Sequence, residues 1–162
     1  DAVRLSARLV DTPASELHTD ALVEEARAIA QRTGSDFQVI RGEALAEEGF
    51  GGLWGVGKAA VRKPALAVID HQPEGAEKTV VWVGKGIVYD TGGLSLKGKD
   101  SMPGMKGDMG GAASVLAAFE AAVCQPPSGR MSSMATSLDS RLGPRSPIKI
   151  SLLESTGPGP ST

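Results

Sequence analysis

Residues 84–111 read GKGIVYDTGGLSLKGKDSMPGMKGDMGG, nine glycines in 28 positions. An apolar run of strand length, TVVWVG at 79–84, leads into this stretch. A small-residue segment follows at 111–123, with Ala112, Val115, Leu116 and Phe119 at helical spacing. Strand, glycine-rich loop and helix in that order form the repeating unit of α/β proteins, whose ligands collect beyond the carboxyl ends of strands.

Working upstream, the alternation continues. Residues 2–10 form a short amphipathic helix that ends at the Asp11, Thr12, Pro13 turn. A second helix, capped by Thr19 or Asp20, carries Leu22, Ala26, Ile29 and Ala30 on one face and stops at Gly34. Residues 37–40 read as a strand and 43–48 as a short helix before a glycine cluster. Residues 65–70 form an apolar strand, separated from 79–84 by the polar loop 71–78. Near-continuous apolar strands point to a sheet covered on both faces. The fold expected is therefore α/β: part of a mixed β-sheet flanked by helices, truncated, with a Ser/Pro/Gly-rich C-terminal tail.

The composition breaks near residue 123. All six aromatic residues lie before it, whereas Ser, Pro and Gly make up 19 of the 39 residues from Cys124 to the end. That tail, 124–162, is expected to be disordered, because without aromatic anchors it buries too little surface to offset ordering. Its one apolar patch, residues 148–153, has the makings of a strand. No run is long and apolar enough to span a bilayer, and no secretory pattern opens the sequence. A formal net charge of −2 argues against a nucleic-acid partner, and a single cysteine fits a reducing, cytoplasmic setting.

Polar chemistry concentrates inside 84–111, at Lys85, Asp90, Lys97, Lys99, Asp100, Lys106 and Asp108. Glycines let backbone and carboxylates approach a common point, and two carboxylates suit hard or borderline divalent cations. Spacing leaves a plainer reading open: Asp108 as a helix N-cap, Asp90 as a turn former, and the lysines as solvated surface groups. His18 and His71 lack metal-pair spacing and suit surface or turn positions. Residues 52–59, GLWGVGKA, approximate a phosphate-binding loop with alanine in place of the required hydroxyl.

VGKGIVYDTGGLSLK at 83–97, followed by MPGMKGDMGGAASVLAAF at 102–119, resembles the metal-binding core of the leucyl (cytosol) aminopeptidase family, nearest its aminopeptidase-like branch. The likeness takes in DTPA at 11–14 and GFGGLWGVGKAA at 49–60, so it covers residues 1–123, the first part of the catalytic domain. The resemblance implies a metalloaminopeptidase that hydrolyses the N-terminal peptide bond of a peptide substrate. It assigns Lys85, Asp90 and Asp108 as metal ligands, Lys97 as the catalytic lysine, and Met105 as a lining residue for the substrate side chain. It implies two Mn2+ or Zn2+ ions and a homohexamer.

The family's second signature, Asn-Thr-Asp-Ala-Glu-Gly-Arg-Leu, supplies two more metal carboxylates and an arginine, and the sequence contains no match to it. Residues 137–142, SLDSRL, carry a faint likeness without the glutamate. Three ligands do not close a two-metal centre. The expectation is one weak cation site and an impaired peptidase. The alternative is a non-catalytic form that assembles with, or modulates, an intact aminopeptidase.

Overall fold

The computed structural model describes residues 2–76, 79–124 and 148–156. Helix α1 spans Ala2–Asp11, α2 Thr19–Thr33, α3 Ala44–Glu47, α4 Gly51–Gly57 and α5 Gly110–Cys124. The strands are β1 at Asp36–Arg41, β2 at Ala65–His71, β3 at Val80–Tyr89 and β4 at Ile148–Thr156. They form a single sheet in the order β1-β2-β4-β3. The β1/β2 and β2/β4 pairs are antiparallel and the β3/β4 pair is parallel. A mixed sheet with flanking helices is thus what the strand and helix patterning anticipated.

Helix α2 starts differently from expectation. Its N-cap is His18, whose Nδ1 accepts a hydrogen bond from the Ala21 amide at 3.3 Å. Asp20 is engaged elsewhere, by Arg41 at 2.6 Å and Arg62 at 2.9 Å, and Thr19 is wholly buried. The far end follows the sequence: Gly34 takes φ +62, and its amide bonds back to the last turn.

The core lies between α1, α2, α5 and one face of the sheet. Leu9, Leu22, Val23, Ile29, Ile69, Val88, Met109, Leu116 and Phe119 are fully buried there. Strand β2 is buried on both faces through most of its length, as its apolar run requires. Strand β3 is not. It alternates: Gly84, Gly86 and Val88 are buried, whereas Val81 and Val83 are exposed. It also runs unbroken from the expected strand at 79–84 through the apolar residues Ile87, Val88 and Tyr89, because β4 pairs with it in parallel as far as Tyr89.

Gly84 of β3 and Gly111 of α5 are explained by the close passage of strand and helix. A Cβ on Gly84 would lie 2.7 Å from Ala112 Cα, and one on Gly111 would lie 3.0 Å from the Lys85 amide nitrogen. Backbone meets backbone there, so neither position accommodates a side chain without moving α5.

Residues 148–156, inside the stretch expected to be disordered, form β4 instead. The reason is the sheet itself. Strands β2 and β3 each offer a free row of amides and carbonyls, and a run rich in Ile and Leu is suited to pair with both. Cys124 ends α5 and is exposed. The remainder of the proposed tail, and the 137–142 likeness with it, lies outside the described residues.

The phosphate-loop approximation at 52–59 does not survive. Residues 51–57 are helix α4, and a short helix rather than a strand precedes them. Gly57 is small because Pro64 packs on it, with its Cβ 2.5 Å from where a Gly57 Cβ would stand.

Candidate metal centre

The site lies where β3 ends and α5 begins. Lys85 is on β3 itself, not in the loop where the sequence placed it. Asp90 follows the last residue of that strand. Asp108 is on a short 3-10 turn, Met105–Met109, that runs directly into α5. The close passage of Gly84 and Gly111 draws strand and turn together, and Lys85 Nζ comes to 2.9 Å from Asp108 Oδ1.

Lys97 reaches the same place by a tight excursion of the chain. Gly92 adopts φ +91, and a Cβ there would fall 2.1 Å from the Ser95 carbonyl oxygen, so the turn is open only to glycine. A bridge between Gly92 and Leu96 and a bond from the Lys97 amide to the Thr91 carbonyl at 2.9 Å close the loop. Lys97 Nζ then donates to Asp90 Oδ2 at 2.7 Å, while Asp90 Oδ1 accepts from the Gly92 amide at 2.9 Å. Asp90 is therefore the turn former the spacing allowed and, through its other oxygen, the partner of Lys97. Asp108 is not the N-cap of α5, which begins two residues later.

Two lysine–aspartate pairs thus stand side by side. The Lys97 hydrogen bond holds the Asp90 carboxyl below its ordinary value of 3.8, aided by the Gly92 amide and the charges of Lys97 and Lys85, against partial burial that pushes the other way. Asp90 is an anion at neutral pH. Met105 opens the turn that carries Asp108 and is half-buried. Lys99 and Asp100 go elsewhere, to a separate exposed turn at Lys99–Ser101.

Lys106 was only one charged residue among several in the sequence. In the structure its Nζ donates to the Leu9 carbonyl at the end of α1, 3.0 Å away, and burial pushes its ammonium below the usual lysine range, partly offset by Asp11. A lysine flanked by glycines and methionines gives no periodic signal, so only the meeting of α1 with the turn reveals it.

The donor set decides which cations are accommodated. Asp90, Asp108 and the amine of Lys85 supply two anionic oxygens and one nitrogen. Among the described residues no group of three or more His, Cys, Asp or Glu side chains gathers to supplement them. Oxygen and nitrogen donors of this kind are ones that hard or borderline divalent cations take.

Sheet, helix start and lysine–aspartate cluster together describe an α/β protein with a candidate cation site at a strand end. The catalytic domain of the cytosol aminopeptidase family matches residues 4–146, and the chain belongs to that family. The human protein named "Probable aminopeptidase NPEPL1" is 59% identical over 125 residues, covering 77% of this chain and 24% of its own. Leucine aminopeptidase 1 of Caenorhabditis elegans is 54% identical over 123 residues, 76% of this chain and 25% of that one. The structure of the same worm's leucine aminopeptidase superposes with TM-score 0.82 at 44% identity, over 96% of this chain and 28% of that chain. The bottromycin maturation enzyme BotP in complex with Mn gives 0.78 at 33% identity, over 96% and 30%. The chain spans about a quarter of the length of the curated relatives it matches. Among the described residues no helix is long and apolar enough to cross a membrane.

Acid should weaken this fold in a defined window. Asp90 is depressed as described; Glu25 is held down by the Arg8 hydrogen bond. Asp20 is raised by partial burial but lowered further by the Arg62 and Arg41 hydrogen bonds, so that its net shift is also downward. A carboxyl whose folded value lies below its unfolded one adds stability above the unfolded value and loses it as pH falls through the folded one. With ordinary values of 3.8 and 4.5, the melting temperature should be flat from pH 7 to about 5 and fall below about 4. Calorimetric scans from pH 7 to 3 measure it; a melting temperature unchanged at pH 3 would contradict these ion pairs.

Proposed function

We propose that this chain carries part of the active site of a metal-dependent aminopeptidase, acting on the N-terminal peptide bond of peptides. The observation that supports it best is the convergence of Lys85 with Asp108 and of Lys97 with Asp90 at the junction of β3 and α5. Lys85, Asp90 and Asp108 would hold one divalent cation, manganese or zinc. Asp90 is suited to this because Lys97 keeps it ionised. Lys85 must surrender its proton before its amine can donate a lone pair, so cation uptake releases a proton.

A cation held there would polarise the scissile carbonyl and lower the pKa of a water, making hydroxide available near neutral pH. Lys97 contributes a fixed positive charge. Its ammonium stands beside Asp90, where it stabilises negative charge developing on the oxygen of the scissile carbonyl. Met105, on the Asp108 turn, lines the position of the substrate's first side chain.

With donors for one cation rather than two among the described residues, hydrolysis by this chain is weak, and residues 1–123 with β4 act as one part of a larger catalytic unit. A cytoplasmic setting agrees with the naming of the relatives, and mixed assembly with an intact aminopeptidase, as a homohexamer would allow, is the companion reading. Calorimetric titration of the chain with MnCl2 tests the site. One equivalent bound with proton release is expected; no uptake up to millimolar Mn2+ would refute it.

A further inference from the structure

The turn that carries Asp108 is fixed at two points. Met109 enters the core and is fully buried, anchoring the turn's last residue. Lys106 anchors the other side by donating from Nζ to the Leu9 carbonyl at 3.0 Å. Leu9 is itself fully buried near the C-terminal end of α1. A cation at a helix C-terminus is favoured by the helix dipole as well as by the carbonyl left unpaired there. Helix α1 packs against α5 through the core, so the Leu9 carbonyl is a rigid reference. Asp108 lies between the two fixed residues and is the one that turns outward to Lys85.

We propose that Lys106 is a positioning residue for the candidate metal centre: by tying the Met105–Met109 turn to the end of α1, it sets where the Asp108 carboxylate stands. It touches neither cation nor substrate. The idea rests on the reading of Asp108 as a ligand, but its geometric half does not. Asp11, near Lys106, adds a favourable charge to the same anchor. A side chain that orients a ligand from behind typically changes metal affinity by about 10–100-fold when removed.

The test uses the full 162-residue chain, its Lys106→Met variant, which keeps the apolar stem, and its Lys106→Arg variant, which restores a donor. Mn2+ affinity is read by calorimetry, and local order by amide hydrogen exchange of the metal-free chain. For Lys106→Met we expect Mn2+ binding weakened about tenfold and faster exchange confined to residues 105–110, with α2 unchanged; Lys106→Arg should recover most of both. A lower melting temperature with unchanged Mn2+ affinity would mean a merely structural bond and would overturn the proposal. So would unchanged exchange in the turn, or an arginine variant as impaired as the methionine one. If the parent chain takes up no Mn2+ while the methionine variant still loosens the turn, the metal reading fails and the anchoring role stands.

Discussion

Asp90→Asn should weaken Mn2+ binding by at least about 100-fold, more than the loss of any residue that only orients a ligand. The substitution is chosen because it separates charge from shape. An asparagine oxygen can still accept the Gly92 amide hydrogen, so the glycine turn that returns the chain to Lys97 is preserved. What disappears is the anion. A neutral amide oxygen is a weaker ligand for a divalent cation than a carboxylate, and Lys97 loses the carboxylate it now holds at 2.7 Å. Circular dichroism should be unchanged while the calorimetric signal is lost. Affinity within twofold of the parent would show that Asp90 is a turn former and nothing more.

Lys97→Met is expected to act on a different quantity. Removing one preorganised charge that stabilises a developing oxyanion costs about 100–1000-fold in turnover. Whatever release of an N-terminal residue the chain shows with Mn2+ should fall by that factor. A second readout needs no turnover. The Lys97 hydrogen bond is the main influence depressing Asp90, so in the variant the Asp90 carboxyl should titrate closer to its ordinary value of 3.8. Carbon-detected NMR of labelled aspartate follows this directly. An Asp90 titration identical in parent and variant would contradict the pairing, and undiminished turnover would remove Lys97 from the chemistry.

The glycine-rich segment disclosed where the site lies but not how it is built. Helices α1, α2 and α5 are legible from their apolar spacing, and strand β2 from its continuous apolar run. The sequence places Lys85 in a loop because Gly84 and Gly86 look like strand breakers. The smallness of Gly84 is instead a matter of α5 pressing on β3, which is a tertiary fact. His18 was missed as a cap because serine, threonine and aspartate lead the usual preferences, and here Thr19 is buried and Asp20 is held by two arginines. The strand inside the Ser/Pro-rich stretch was half visible. Its apolar patch could be seen, but the two waiting strand edges could not.

Sheet order carries a consequence for how such a chain acquires its site. Among the described strands β3 neighbours only β4, which comes last in sequence, while β1 and β2, both earlier in the sequence, pair with each other. As the chain leaves the ribosome from its N-terminus, Lys85, Asp90, Lys97 and Asp108 all emerge before the strand that ties β3 into the sheet. Until residues 148–156 insert, β2 and β3 each show an open edge, the arrangement most prone to pairing with a foreign strand. Closing that gap is a long-range and therefore slow step, and the interval before it is when a chaperone would matter most.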